Sequence, residues 1–494
     1  MNLGDILSGV KLPRPLTPEL AHTLVTGLAY DSRRVTAGVL FFAFPGSKAD
    51  GREFANDALA RGAVAIASES PAPAELASRW VQVEHGRHAL ALAAREFHGR
   101  PDERLGLTGI TGTNGKTTTA YLIDSVLRAA GAVTAMIGTI EYHVAGRVLK
   151  AINTTPESLD LMELFSGLVR EGGTHATMEV SSHALALGRV YGLNFHTVVF
   201  TNLTRDHLDF HGDMENYFAA KQLLFDGAGG SVPRFAVLNT EDEYARRIRT
   251  HAETETLWYG MAPDADLRPR HIASGFQGLR FDVQYRKQRF PISSPLIGKI
   301  NVYNILAACA TGLSYGLAPE VIARGIAGLQ AVPGRFERVD EGQPFVVVVD
   351  YAHTDDALRN AIAVARGLNP KRVVTLFGCG GDRDRAKRPL MGQAAAEASD
   401  FVVLTSDNPR SEDPLTIMND ALVGIRRTDV AHVVEPDREA AIRRALKEAR
   451  EGDIVILAGK GHETYQVLKD KTIDFDDRTV AREVLKGYGY HKTQ

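Results

Sequence analysis

Short apolar runs alternate with stretches of helical spacing along most of the chain. Residues 39–44 form an unbroken apolar run closed by Pro45-Gly46, residues 54–60 repeat at helical spacing up to Gly62, and residues 63–67 are apolar again. Farther on, the run 106–111 enters a glycine-rich loop followed by a helical pattern at 120–127. Runs at 176–180, 197–200 and 235–239 are separated by further helical stretches. Val332-Pro333-Gly334 opens a linker into a third set of runs, at 346–350, 373–377, 401–404 and 454–457. This alternation predicts an α/β protein whose sheets are mainly parallel, with helices on both faces. The breaks divide it into three domains, residues 1–103, 104–333 and 334–494.

Composition narrows the class. Of 494 residues, 44% are hydrophobic and 24% charged, the balance of a globular protein with real cores. A net charge of -3 lacks the basic excess of a nucleic-acid binder. Cys309 and Cys379 fit neither a disulfide framework nor a zinc spacing, so a reducing compartment is expected. No apolar run approaches the ~20 residues of a membrane span, and Asp5 interrupts the N-terminal apolar stretch, unlike a signal peptide. The expectation is a cytoplasmic protein that acts on neither nucleic acid nor membrane.

The most specific chemistry lies in Thr111-Gly112-Thr113-Asn114-Gly115-Lys116-Thr117-Thr118. Glycines let successive backbone N–H groups face one hollow, and the following helix N-terminus adds partial positive charge: a phosphate cradle. Lys116 would reach the β- and γ-phosphates, and the Thr117 hydroxyl would take Mg²⁺. The glycine usual six residues before the lysine is here Ile110, so the motif is the shorter Gly112-x-x-Gly115-Lys116-Thr117. A nucleoside triphosphate is expected to bind here.

In parallel sheets ligands sit at the carboxyl ends of the strands. Glu179 with Ser181 and Ser182, then Asn202, Asp206 and His207, then Asn239, fall at such ends and outline a site beside the loop. In the third domain the corresponding groups are Tyr351-Ala352-His353, Gly378 to Asp384, Ser406 to Arg410 and Gly459 to Glu463. His207 and His211, four apart, have no intervening glutamate of the metalloprotease kind, so zinc is the weaker reading. Lys221 lies in an amphipathic pattern at 216–225 and would ordinarily be a surface lysine.

Thr111 to Thr117, Met178-Glu179-Val180-Ser181-Ser182-His183-Ala184, and Asn202 to Asp209 together with Lys221 resemble the Mur ligases, which build the peptide of bacterial cell-wall precursors. The resemblance spans all three domains. It implies an N-terminal domain for a UDP sugar, a central P-loop ATPase domain and a C-terminal Rossmann-like domain. It also implies activation of a carboxylate by ATP as an acyl phosphate, then attack by an amine. Two anions must meet in that reaction, so two Mg²⁺ ions are expected to bridge them. Thr117 and Glu179 would serve the first ion; His207 and Lys221, as a carbamate formed with CO₂, would help hold the second.

The resemblance also distributes the substrates. Asn301 and Asn304 in Gly298-Lys299-Ile300-Asn301-Val302-Tyr303-Asn304 would approach adenine, with Ile300 where phenylalanine is usual. Arg335 and Asp350 would reach ribose and phosphates. Ser32, Ser47, Lys48 and Ala49 would contact the uridine diphosphate end; Asn153, Thr154, Thr155, Ser182 and Arg189 would hold the sugar-peptide. Where the family usually has proline after Tyr-Ala-His-Thr, this chain has Asp355. Asp407-Asn408-Pro409-Arg410 resembles the signature of members that use meso-diaminopimelate, whose second carboxylate suits Arg410 and Arg383. Glu463 would accept from the distal ammonium, assisted by a carbonyl near Gly459. The expected reaction adds meso-diaminopimelate to UDP-N-acetylmuramoyl-L-alanyl-D-glutamate. An L-lysine-adding homologue and a folylpolyglutamate-synthetase-like ligase are the alternatives. A P-loop switch or transporter is the more distant one, and the chain carries neither an Asn-Lys-x-Asp nor a Leu-Ser-Gly-Gly motif.

Overall fold

The computed structural model describes residues 1–46 and 50–491. Ser47, Lys48 and Ala49, expected at the uridine diphosphate, lie outside the described residues. The chain forms two compact units. One is Met1–Pro269 with Val283–Phe290 and Asn304–Gly325; the other is Arg270–Asp282 with Pro291–Tyr303 and the chain from Ile326 onward.

The first unit begins with a parallel four-stranded sheet in the order β1 (Gly27–Ala29), β2 (Val39–Phe42), β3 (Ala65–Ser68), β4 (Trp80–Gln82). All four residues of β2 and of β3 are buried, which is why neither shows an alternating pattern. Phe42, Phe44 and Leu90 share one apolar core with Leu107, Leu185 and Val190, so this sheet and the sheet that follows it are packed as one body.

The central strands are β5 (Gly106–Thr111), β6 (Thr134–Ile137), β7 (Glu141–Val144), β8 (Arg147–Lys150), β9 (His175–Glu179), β10 (Thr197–Phe200), β11 (Phe235–Asn239) and β12 (Glu255–Tyr259). Their order is β12-β11-β10-β5-β9-β6-β7-β8, with β13 (Leu267–Gly275), β14 (Gly278–Tyr285) and β15 (Gln288–Ser294) following β12. From β12 to β6 the pairs are parallel; β6-β7 and β7-β8 are antiparallel hairpins. All four residues of β8 are exposed, and Val148-Leu149 is too short an apolar run to announce it. Because β5 lies between β10 and β9, chain connections leave it toward both sides. That is the switch point at which parallel sheets open a crevice.

In the second unit the order is β16 (Glu337–Val339), β17 (Val346–Asp350), β21 (Ile454–Ala458), β18 (Val373–Cys379), β19 (Phe401–Ser406), β20 (Ala431–Glu435), parallel throughout except for the β16 edge. Apolar clusters line both faces of this sheet. Thr354 caps the helix Asp355–Arg366 by accepting from the Ala357 N–H at 3.2 Å. Asp355 then takes the first helical position, where proline is also at home, and its charge favours the helix N-terminus; the missing proline costs the turn nothing essential.

At the far end of this core the guanidinium of Arg438 and the carboxylate of Asp477, both 0% exposed, meet through Nε–Oδ1 at 2.8 Å and Nη2–Oδ2 at 2.6 Å. Arg438 also donates to the carbonyls of Ser406 at 3.2 Å and Ala458 at 3.0 Å, tying the ends of β19 and β21 together. Arg438→Met should leave a buried carboxylate unpaired and destabilise the protein by about 3–5 kcal/mol. Thermal unfolding of the full chain checks this; an unchanged midpoint would deny the pair its structural role.

Candidate active site

Glycine geometry decides the phosphate loop. Gly112 has φ +140°, and a Cβ there would lie 1.9 Å from Thr201 Oγ1; Gly115 has φ +88°, and its Cβ would meet Asn304 Oδ1 at 2.6 Å. The helix Lys116–Ala129 starts directly after Gly115, so the N–H groups of its first turn lie at the loop. Asn202 closes the far side: its Oδ1 accepts the Asn114 N–H at 2.9 Å, and its carbonyl accepts the Thr113 N–H at 2.8 Å. Lys116 Nζ donates to the carbonyls of Gly112 at 2.8 Å and Thr113 at 2.9 Å, lying back across the loop. Thr117 and Thr118 are buried.

Glu179 ends β9, whose register pairs it with Ile110 just before the loop. It is 1% exposed, and its carboxylate accepts from the Thr139 N–H at 2.9 Å and the Thr139 hydroxyl at 3.2 Å. Gly138 permits that approach, since a Cβ there would lie 2.4 Å from Glu179 Oε1.

The surface reading of Lys221 is corrected by the fold. The helix Met214–Phe225 buries Tyr217, Phe218, Ala220, Lys221, Gln222, Leu224 and Phe225, wrapping around rather than lying amphipathically. Lys221 is 1% exposed and donates to the Gly112 carbonyl at 3.0 Å and to Thr111 Oγ1 at 3.4 Å. Burial first, and the Lys116 charge second, hold its amine well below the ordinary lysine range.

His207, at φ +53°, starts the short turn Leu208–His211 and faces Asp206 at 3.5 Å. Its ring stands 4.9 Å from that of His183 and 6.0 Å from Tyr217. Desolvation lowers its pKa, against the opposing pull of Asp206. His211 Nε2 and Ser182 Oγ share a hydrogen bond of 2.9 Å.

The residues expected at the sugar-peptide form a second group in the same unit. Thr154 Oγ1 lies 3.1 Å from Thr139 Oγ1; Thr155 Oγ1 donates to the Glu179 carbonyl at 2.9 Å and accepts the Ser181 N–H at 3.1 Å. The Asn153 carbonyl accepts from Tyr142 Oη at 2.5 Å. Arg189 reaches Glu157 at 2.9 Å and the Thr155 carbonyl at 3.0 Å, and Arg87 meets the same glutamate at 3.0 Å. Ser32 opens a short 3-10 turn capped by Asp31. Asn304 accepts from Thr119 Oγ1 at 3.4 Å, beside the phosphate loop.

In the second unit, Asn301 Nδ2 donates to the Ile297 carbonyl at 2.8 Å. Asp350 receives the N–H groups of Phe336 at 2.8 Å and Ala352 at 2.9 Å, and Arg335 lies over the Tyr351 ring at 4.9 Å. Burial pushes the Asp350 carboxyl up, against the Arg335 charge. Arg410, at φ +53°, donates to the Gly381 carbonyl at 2.8 Å. A Cβ on Gly380 would lie 3.0 Å from Arg410 Nη1 and 3.7 Å from Arg383 Cγ, so both arginines border one glycine. Asn408 Nδ2 donates to Glu463 Oε2 at 2.9 Å, and Gly459, at φ +112°, leaves room for Asp407 Oδ2, which a Cβ would meet at 2.6 Å.

Three family descriptions match successive stretches: "Mur ligase family, catalytic domain" over residues 24–98, "Mur ligase middle domain" over 110–312 and "Mur ligase, glutamate ligase domain" over 334–461. Over 494 residues the chain is 88% identical to the UDP-N-acetylmuramoyl-L-alanyl-D-glutamate--2,6-diaminopimelate ligase of Solibacter usitatus (strain Ellin6076), covering 100% of each. The chain belongs to the Mur ligase family. This Mur ligase is also 47% identical over 490 residues to the protein of the same name from Geobacillus thermodenitrificans (strain NG80-2), covering 98% of this chain and 99% of the relative. A solved structure of a UDP-N-acetylmuramoyl-L-alanyl-D-glutamate--2,6-diaminopimelate ligase aligns with a TM-score of 0.74 at 32% identity, over 99% of both chains.

Sequence reasoning passed over Thr139, Glu157 and Arg87. Thr139 touches Glu179 and Thr154, Glu157 touches Arg189, and Arg87 reaches the site through Glu157, yet each looks like an ordinary loop or helix residue until the fold joins them. Gly112→Ala in this Mur ligase should weaken ATP binding about tenfold or more, because the loop must open around the new Cβ. Calorimetric titration of the nucleotide measures it, with circular dichroism reporting the fold; wild-type affinity would contradict the steric argument.

Proposed function

We propose that this Mur ligase uses ATP to activate the D-glutamyl γ-carboxylate of UDP-N-acetylmuramoyl-L-alanyl-D-glutamate and joins it to an amine of meso-2,6-diaminopimelate, in the synthesis of peptidoglycan precursor. The carboxylate oxygen attacks the γ-phosphorus and ADP leaves. The amine nitrogen then attacks the acyl carbon, phosphate leaves, and the nitrogen gives up a proton. The observation that carries this reading is the buried Lys221 amine hydrogen-bonded to the phosphate loop itself.

The roles are those the family resemblance implies, and that arrangement supports them. Gly112, Thr113, Asn114, Gly115, Lys116, Thr117 and Thr118 cradle the triphosphate, and Lys116 swings from its loop carbonyls to the charge developing on the transferred phosphoryl group. Asn301 and Asn304 serve the base, Arg335 and Asp350 the ribose and phosphates. An ammonium at Lys221 would repel a metal, whereas the neutral amine that burial favours can take up CO₂ as an anionic carbamate. Two Mg²⁺ ions, when bound, would neutralise the facing anions, held by Thr117, Glu179, His207 and the Lys221 carbamate, all hard-donor groups or histidine.

Ser32, the segment Ser47-Lys48-Ala49, Asn153, Thr154, Thr155, Ser182 and Arg189 hold the UDP-sugar dipeptide. Arg383, Asp407, Asn408, Pro409, Arg410, Gly459 and Glu463 take the diaminopimelate. Two arginines bordering Gly380 offer forks for its distal carboxylate, which L-lysine lacks. We read the protein as a cytoplasmic monomer acting on small molecules alone; among the described residues no helix is long and apolar enough to cross a membrane.

Amino-acid-dependent ADP release with the muramoyl dipeptide nucleotide tests the reading. The kcat/KM for meso-diaminopimelate should exceed that for L-lysine by about 10² or more, because lysine lacks the distal carboxylate that half-buried Arg410 and exposed Arg383 would pair with. Comparable values would favour an L-lysine-adding enzyme, and turnover on a folate instead would favour a folylpolyglutamate-type ligase. Lys221→Arg should lose most turnover while keeping the fold; an undiminished kcat removes Lys221 from the site.

A further inference from the structure

Lys460 is 0% exposed and lies two residues beyond the end of β21. Its ammonium donates to Glu463 Oε2 at 3.1 Å and to Asn408 Oδ1 at 3.3 Å, and it lies 5.6 Å from the centre of the Tyr465 ring. Asn408 completes a closed triangle by donating its Nδ2 to the same Glu463 Oε2 at 2.9 Å. The orientation of Asn408 is fixed from a third side, since its Oδ1 also accepts the Val467 N–H at 2.9 Å. Thus Glu463 Oε2 is fully engaged by the protein, while among the described residues no donor reaches Oε1. The side chain of Glu463 keeps 15% exposure, whereas that of Lys460 keeps none.

Asp407 lies in electrostatic reach of Glu463 and Asp477 and of the cations Arg438 and Lys460. Arg438 spends its fork on Asp477. Lys460 is therefore the cation shared by Glu463 and, at longer range, Asp407, whose carboxyl burial pushes up. A substrate ammonium arriving at Glu463 Oε1 would meet a carboxylate oxygen whose partner oxygen, Oε2, is already held by Lys460 and Asn408.

We propose that Lys460 is a positioning residue for the amino-acid substrate: with Asn408 it locks Glu463 Oε2, so that a single ammonium group of an amino acid is received at Oε1 in a fixed place. The inference rests on the reading that Asn408 and Glu463 belong to the amino-acid subsite. A lysine suits this task because a compact ammonium can serve two acceptors in a dry pocket, and a guanidinium fork would displace one of them.

Steady-state kinetics of the full-length enzyme, varying meso-diaminopimelate, ATP and the muramoyl dipeptide nucleotide in turn, test it. Lys460→Met should raise KM for meso-diaminopimelate about tenfold or more and leave the other two KM values within about twofold. In a Glu463→Gln background the same substitution should have little further effect, because Lys460 acts through Glu463. Lys460→Gln, which can still donate one hydrogen bond, is the milder variant should the methionine protein not fold, and should raise the same KM several-fold. Equal rises in all three KM values, an unchanged KM for meso-diaminopimelate in Lys460→Gln, or the same factor in both backgrounds would overturn the proposal. Wild-type turnover without meso-diaminopimelate dependence would instead remove the reading beneath it, so the two failures are told apart.

Discussion

The site depends on how little space separates β5 from the helix after it. Between Thr111 and Lys116 the chain must turn from a buried strand into a helix while keeping its N–H groups turned toward an anion. Gly112 and Gly115 make this possible by φ values that side chains avoid and by contacts that a methyl group would break. Everything else in the first unit is fitted to that turn. Thr201 and Asn202 from the end of β10 close one flank, Glu179 from the end of β9 stands on the other, and Lys221 seals the carbonyl face from beneath.

Buried cations are treated in three different ways, and the difference follows from their partners. Arg438 is matched by a bidentate carboxylate, so it keeps its charge and serves structure. Lys460 shares one carboxylate with an asparagine, so its charge orients rather than neutralises. Lys221 donates to a carbonyl and a hydroxyl and lies over the Tyr217 ring, with Lys116 near enough to repel it, so its proton is held weakly.

Arg87, Glu157 and Arg189 show the same economy between the two sheets of the first unit. One carboxylate holds two guanidinium groups, one from the helix Gly86–Phe97 and one from the segment after β9, at 3.0 and 2.9 Å. Arg87 also lies over the Phe44 ring at 4.7 Å, so an ion pair and an aromatic face anchor it together. The cluster ties the N-terminal sheet to the Thr155 segment, which in turn bonds the Glu179 carbonyl.

The α/β class, the parallel sense of the buried strands and the phosphate loop were legible in the sequence, because these rest on local signals: apolar runs, glycine positions and a lysine at a fixed offset; the order of the strands came from the fold. The strands at 197–200, 235–239 and 346–350 fall where the apolar runs stand, and the runs at 373 and 401 extend only two residues further, to Cys379 and Ser406. The exposed strand β8 was missed, since Val148 and Leu149 between two charged residues are too short an apolar run to read as a strand. Only the tertiary structure decided that Lys221 is buried, that Thr139 holds Glu179 and that Lys460 holds Glu463. Burial and pairing are properties of surroundings assembled from distant segments, and a lysine's own neighbours in sequence carry no record of which dielectric it will meet.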